Sequence, residues 1–444
     1  MNLVQALRLH SESRIAFVGA GGKTSSMFHL ARQYSHPILL TATTHLAQGQ
    51  VSLADRHFVF EKSASVLAGK LPDGVTLVTG KVAAGGRTHG LPPVAVASLH
   101  AWARAHDVPM LIEADGARQK SLKAPDMHEP VIPDLAGVVA VLAGLSALGQ
   151  PLTDKIVHRP EIFAPLSGLS IGEPITIDAI AAVLLHEQGG LKDMPSYARP
   201  VALINHVSTP ELAAEAQRLA AKLLPGYHAV ISADIPHYSE SRESIIHAAY
   251  QPAAAVILAA GDSKRFGRPK QLLDWKGKPF IRSIAETALE AGLGPVVVVT
   301  GAHGEQVAAA LDGLALEVVH NPQWESGQSS SVQAGLAALP PSTGAAIFLL
   351  SDQPQIPATL MRALVAKHAE TLAPIIAPEI AGRRGNPVLF DRATFPDFAA
   401  LTGDVGGRAI FSRYKVAWLP WLDESLLLDV DTPADYEKLL ASAR

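Results

Sequence analysis

The sequence predicts an α/β protein of two domains, each built around a mainly parallel sheet. Three observations carry that expectation. The chain of 444 residues exceeds what one hydrophobic core normally supports. Short apolar, β-branched runs recur, each followed by a loop and a segment with helical apolar spacing, the alternation that marks βαβ units. Both halves also open alike, with an apolar strand running into a glycine-bearing loop, at 14–24 and again at 253–270.

In the first series, strands are expected at 14–18, 37–40, 108–112, 137–142 and 201–204. In the second they are expected at 253–258, 295–300, 316–319 and 345–350, with a closing helix at 433–440. Between the series, residues 232–252 are polar and broken by Pro236 and Pro252, with one helix expected near 240–249. The domains are therefore expected at 1–235 and 253–444, joined by a linker at 236–252.

Composition narrows the function classes. With 48% hydrophobic and 18% charged residues the chain reads as an ordinary globular protein. A net charge of −4 gives no general drive toward nucleic acid or an anionic membrane, although a local basic pocket is compatible with it. The lack of cysteine excludes disulfides, thiolate metal sites, iron–sulfur clusters and persulfide chemistry on this chain. No basic stretch leads into an apolar run at the N-terminus, and the apolar stretch 137–145 is too short to span a bilayer. A cytoplasmic enzyme is expected.

The segment with most chemical content runs from Leu258 through Ala259, Ala260 and Gly261 to Arg265 and Lys270. Small residues there let backbone amides approach a triphosphate, and the two cations meet its phosphates. This segment resembles the first-loop signature of nucleotidyltransferases of the molybdenum cofactor type, and five further stretches in the right order are similar to that family. They are Asn321-Pro322 with 327–331 including Ser331, Asp352-Gln353-Pro354, Arg384-Gly385-Asn386-Pro387, Gly403-Asp404-Val405-Gly406-Gly407-Arg408, and Asp429-Val430-Asp431-Thr432-Pro433.

The resemblance implies a Rossmann-like sheet and transfer of CMP from CTP to a molybdopterin-type cofactor. The acceptor phosphate attacks the α-phosphorus and expels pyrophosphate, so catalysis reduces to positioning and charge neutralisation. It further implies that Arg265, Lys270, Asp352 and Asp431 are catalytic, that Asp352 and Asp431 hold Mg2+, and that Asn386, Gly403, Asp404 and Arg408 form the cofactor pocket. For Asp352 and Asp431 helix capping is the alternative, before Pro357 and before Pro433. Cytidylyl members resemble this chain at Ala259-Ala260-Gly261, where guanylyl members typically have a middle glycine. The chain departs from the family at Phe266, Gln328 and Asn386, and the last leaves the acceptor open. The Asp-Ala-Ala-Arg segment of isoprenoid-type cytidylyltransferases is absent at Asp352.

In the first half, Gly19, Gly21, Gly22, Lys23 and Thr24 join a strand to a helix, offering amides, a lysine and a hydroxyl to a nucleotide. The loop is shorter than the standard phosphate loop, because Phe17 stands where a glycine is needed. Glu113 and Asp115 end an apolar strand, the placement wanted beside a γ-phosphate. Lys120, Lys123, His128-Glu129-Pro130 and 154–161 follow. Together these resemble the accessory family of selenium-dependent molybdenum hydroxylases, which implies a P-loop NTPase-like domain binding ATP or GTP. The guanine-reading carboxylate is missing at Asn205-His206-Val207-Ser208. His45 is a candidate for the same pocket, and His128 and His158 with Glu129 and Glu161 match no standard zinc spacing.

The expectation is a bifunctional maturation enzyme serving an apo molybdenum hydroxylase. The alternatives are a cofactor carrier with a nucleotide switch, and transfer to another phosphorylated acceptor.

Overall fold

The computed structural model describes residues 1–444 except 62–66, 68, 70, 84, 239, 241–242, 264–265 and 443–444. Its contacts divide the chain into two compact units, Met1–Tyr250 and Gln251–Arg444.

Unit 1 contains β1 (Arg14–Gly19), β2 (Ile38–Ala42), β3 (Arg56–Val59), β4 (Val75–Thr79), β5 (Met110–Glu113), β6 (Leu122–Lys123), β7 (Val138–Gly144), β8 (Val157–His158), β9 (Arg199–Asn205), β10 (Ala229–Asp234) and β11 (Ile245–Tyr250). Nine of them form one sheet in the order β11-β10-β9-β7-β1-β5-β2-β4-β3, while β6 and β8 pair separately. Every neighbour in the large sheet is parallel except β11, which runs antiparallel to β10. β2, β5 and β7 are buried along their whole length, as strands covered on both faces must be, which is why they read as unbroken apolar runs. The connection from β1 to β2 and that from β5 to β7 leave toward opposite edges of the sheet. A crevice therefore opens outside the carboxyl ends of β1 and β5.

The stretch expected as a linker with a helix near 240–249 is corrected at its end: residues 245–250 form β11. Ile245, Ile246 and Tyr250 suit a pleated, half-buried surface, and pairing Val230 with Tyr250 covers the backbone groups that β10 would otherwise leave at an open edge.

Unit 2 contains β12 (Ala253–Ala259), β13 (Asp274–Trp275), β14 (Lys278–Pro279), β15 (Val296–Thr300), β16 (Glu317–His320), β17 (Ala345–Leu350), β18 (Ile375–Ile380), β19 (Arg383–Arg384), β20 (Val388–Asp391) and β21 (Val416–Pro420). The main sheet runs β16-β15-β12-β17-β20-β18-β19, with β21 beside β18 and the short β13–β14 hairpin apart. Its first four strands are parallel and β20 is antiparallel to both neighbours. Alternate residues of β12 feed cores on opposite faces: Ala255 and Ile257 pack with Ile281, Ile347 and Leu360, and Val256 with Val299, Phe348 and Phe390. The glycine loop thus leaves the middle of a sheet anchored on both sides. Among the described residues no helix is long and apolar enough to cross a membrane.

Candidate functional site

In unit 2 the loop after β12 is shaped by its own side chains. Gln271, buried at the loop's far end, donates to the carbonyls of Ala259 (3.2 Å) and Gly261 (2.7 Å). Ser263 adopts a left-handed backbone (φ +60°) and its Oγ accepts the Lys270 amide at 3.1 Å. The loop is thereby curled so that Lys270 reaches across to the neighbouring strand end. Its Nζ lies 3.2 Å from Asp352 Oδ2 and 2.9 Å from Asp431 Oδ1.

Asp352 follows β17, and the carbonyl of Asp352 accepts the Val430 amide at 3.3 Å, which holds the 429–431 segment against that strand end. Neither aspartate is consumed by helix capping. The helix Ala358–Thr371 has Pro357 as its N-cap without a side-chain bond, and at Pro433–Ser442 the reciprocal bonds are made by Thr432 and Asp435. Burial opposes the charge of Lys270, but Asp352 and Asp431 outweigh it and raise its pKa. Asp352 is itself raised, by burial first and by Asp431. Asp429 is raised by burial and by the Asp352 and Asp431 charges, although Gln353 donates to it. Asp352 Oδ1 is buried without a hydrogen-bond partner.

Lys270, Gln271, Asp352 and Asp431 open onto a cavity of about 860 Å³ that Leu258, Ala260, Gly261, Ser331 and Asp404 also line. Ala259 lies beneath it, buried, its carbonyl held by Gln271. Ser331 Oγ accepts from the buried Asn321 (3.1 Å), as does Ser330 Oγ (2.8 Å). Gly403 accepts the Ser329 hydroxyl at 2.8 Å. A second cavity of about 440 Å³ shares Leu258, Gln328, Leu350 and Asp404 with the first and adds Asn386 and Arg408. Arg384, over the Phe411 ring at 4.7 Å, has its pKa lowered by burial and by Arg408 nearby. Arg265 lies outside the described residues.

Sequence reasoning placed neither Gln271 nor Asp429 in the site. Gln271 adjoins Lys270, but nothing in its type announces a buried clamp. Asp429 was legible, because two residues along an extended segment return to the same side as Asp431.

In unit 1, Gly19, Gly21 and Gly22 take φ values of +91°, +86° and +109°, which only glycine adopts at low cost. A Cβ on Gly19 or Gly21 would lie 2.3 or 2.4 Å from the backbone of Leu142 or Gly144. The helix Lys23–Ala31 starts directly after them. Lys23 Nζ meets the Gly19 carbonyl at 2.6 Å and Asp115 Oδ1 at 3.1 Å. Asp115 Oδ2 takes the Gly19 amide (3.0 Å) and Lys123 (2.9 Å), so Asp115 braces the loop from behind. The carboxylate that faces the crevice is Glu113, whose Oε2 accepts the Thr24 hydroxyl at 2.8 Å. Burial raises the pKa of Glu113 against the pull of Lys23.

The crevice encloses about 770 Å³, lined by Gly21, Gly22, Lys23, Thr24 and His45, and by Glu129, His158 and Arg159 from the following loops. Asn205 cannot read a base there. It is fully buried, donates to the Gly21 carbonyl (2.8 Å) and accepts the Ile235 amide (2.8 Å). His128 is exposed and does not line the crevice. Among the described residues no cluster of three or more histidines or carboxylates is placed to hold a metal.

A parallel sheet whose central strand ends in a glycine loop, with a lysine and carboxylates gathered at the adjoining strand ends, defines unit 2 as a nucleotidyltransferase. Residues 255–417 match the family described as MobA-like NTP transferase domain, and residues 15–161 match the family described as YqeC protein. The chain belongs to the MobA-like NTP transferases through unit 2 and to the YqeC family through unit 1. It is 36% identical to nicotine blue oxidoreductase of Paenarthrobacter nicotinovorans over 42% of this chain and 95% of that protein. It is 34% identical to protein YqeC of Escherichia coli over 44% of this chain and 77% of that protein. It is 32% identical to the purine catabolism protein PucB of Bacillus subtilis over 41% of this chain and 93% of that protein.

Proposed function

We propose that unit 2 transfers CMP from CTP to the phosphate of molybdopterin with release of pyrophosphate, and that unit 1 binds ATP or GTP in the maturation of an apo molybdenum hydroxylase. The observation that carries the transferase reading is the convergence of Lys270, Asp352 and Asp431 on one cavity, with Asp352 Oδ1 buried and without a partner. Such an oxygen suits a hard cation. Mg2+ is commonly held by one or two carboxylates plus substrate phosphates rather than by a protein cage. Asp352 and Asp431 would hold it, and its chemistry would be to neutralise charge on the triphosphate.

The rest of the work falls to the chain. Lys270, freed from the two aspartates, steadies the β- and γ-phosphates that leave together, and Arg265 is assigned the same task from the sequence. The amides of the 259–261 turn approach the triphosphate, and Ala260, where a glycine would leave more room, favours a pyrimidine. The adjoining cavity with Asn386 and Arg408 takes the acceptor, its phosphate directed to the boundary that Asp404 shares with the nucleotide cavity. An acceptor phosphate ionised near neutral pH needs no general base. A carrier would have no use for a site that expels pyrophosphate.

The test is incubation with Mg2+, labelled CTP or GTP, and molybdopterin. Pyrophosphate and a cytidylylated product are expected with CTP, and Asp352→Ala should lower turnover by about 100-fold or more. Failure to release pyrophosphate from either nucleotide would overturn the reading.

A further inference from the structure

We propose that the unit 1 crevice holds a second, phosphate-bearing small molecule beside the nucleotide, held by Arg87, Arg118 and Lys120; its placement beside the nucleotide rests on the nucleotide reading above. The nucleotide's share of the crevice is narrow. The amides of Gly19, Ala20 and Gly21 are already bonded, to Asp115, the Leu142 carbonyl and the Lys120 carbonyl. An anion is left the amides at the head of the helix Lys23–Ala31, with Lys23 and Thr24. A volume of about 770 Å³ lies well up the range of roughly 300–1,000 Å³ that serves small-molecule sites.

The opposite wall is built from the turn after β5. The Gly21 amide bonds the Lys120 carbonyl at 3.0 Å, which docks this turn directly on the phosphate loop. Arg118 and Gln119 both adopt left-handed backbone (φ +47° and +58°), as does Arg159 in the same crevice (φ +64°). Each such conformation is strained for a non-glycine residue and persists where the surroundings enforce it. Arg87 enters from the other side, held by an isolated backbone bridge to Ala47 next to the helix whose Gln50 donates to Thr24.

Charge on this wall is unbalanced. Glu129 is neutralised by Lys123 (2.6 Å) and Arg159 (2.7 Å), and Arg159 also faces Asp126 at 3.5 Å. Glu113 is engaged with Thr24, and Asp234 and Glu240, in the 234–240 part of the lining, have partners of their own. Among the described residues Arg87 and Arg118 form no ion pair, and Lys120 Nζ reaches only the Lys155 carbonyl at 3.2 Å. His158, in the same lining, has its pKa pushed down to about 4, by burial first and then by Arg159, Lys123 and Arg118. Two guanidinium forks and an ammonium lining one crevice match a phosphate monoester dianion, which takes bidentate bonds from arginine.

Phenylglyoxal modification of the full chain, read by mass spectrometry of the Arg118 and Arg87 peptides, tests this. Phenyl phosphate is the probe and a non-hydrolysable ATP analogue the nucleotide. Phenyl phosphate should slow modification of both arginines about tenfold, equally with the analogue at saturation and in Lys23→Ala, whose loop no longer binds the analogue. If the analogue alone shields Arg118 and phenyl phosphate adds nothing, these arginines serve the nucleotide's own phosphates and the proposal fails. It fails also if phenyl phosphate shields neither arginine. Protection by phenyl phosphate with no analogue binding at all would sink the nucleotide reading and leave this site standing.

Discussion

Glu129 shows how much of unit 1 hangs on single charged groups. Its Oε2 takes Lys123 and Arg159, and Lys123 continues to Asp115, which bonds the Gly19 amide. Four side chains thus connect the β6 and β8 region to the glycine loop after β1. Burial opposes the Glu129 charge, yet the bonds from Arg159 and Lys123 outweigh it and hold the carboxyl at about 2. A folded-state pKa below the ordinary carboxylate value stabilises the fold above that ordinary value and ceases to as the pH falls through the folded one. Unit 1 should therefore lose stability between about pH 4.5 and pH 2, by a few kcal/mol at most because Glu129 is partly solvated. In Glu129→Gln that loss should largely vanish, while stability at pH 7 falls, since Lys123 and Arg159 lose their shared counter-charge. Urea unfolding at pH 7, 4 and 2.5, followed by hydrogen exchange in peptides from 1–250, checks both signs. An unchanged acid limb in the variant would assign the pH dependence to other groups.

At the scale of elements, the nucleotidyltransferase cavity depends on two loops held by contacts that carry no chemistry. Gln271 ties the first through two carbonyls. In Gln271→Leu those carbonyls lose buried donors, which costs on the order of 1–3 kcal/mol. The loop should loosen, with KM for the nucleotide rising several-fold and kcat less affected, as steady-state kinetics would show. The second is the approach of Gly327 (φ +112°) to Gly403, where an added Cβ would lie 2.3 Å from the Gly403 carbonyl carbon. Gly327→Ala should destabilise unit 2 and lower turnover together, read by thermal unfolding and pyrophosphate release; a variant with wild-type values would show that the two loops part freely. Here the legibility of the sequence has its boundary. Strands β1, β7, β12 and β17 were readable because their apolar runs lie between turn signals, and Lys270, Asp352 and Asp431 because they stand at strand ends. β3, β4, β10 and β11 were missed or misread, since short strands near a sheet edge depend on which neighbour they pair with. Gln271 was not readable as a clamp because a buried glutamine is defined by carbonyls twelve and ten positions back along the folded loop. Glu113 and Asp115 were seen as a pair, but which one faces the crevice depends on the Lys23 and Lys123 bonds that only the fold reveals.

For the whole molecule, the two units each have their own sheet, core and cavity, and each cavity has at least one basic side chain in its lining. Nothing in the unit 2 chemistry calls on Lys23, and nothing at the unit 1 glycine loop calls on Asp352. Mutations at sites that share no partner act independently to within a few tenths of a kcal/mol. Lys23→Ala should therefore abolish nucleotide binding to unit 1 while leaving pyrophosphate release within about twofold of wild type. Asp352→Ala should do the reverse, with unit 1 still binding its nucleotide at unchanged affinity. Because both units are proposed to engage nucleotides, binding must be resolved by site, which photo-crosslinking of an azido-nucleotide followed by peptide mapping to 1–250 or 251–444 provides. Loss of cytidylyl transfer in Lys23→Ala, with unit 2 still folded by hydrogen exchange, would mean that nucleotide binding in unit 1 and transfer in unit 2 are coupled rather than separate.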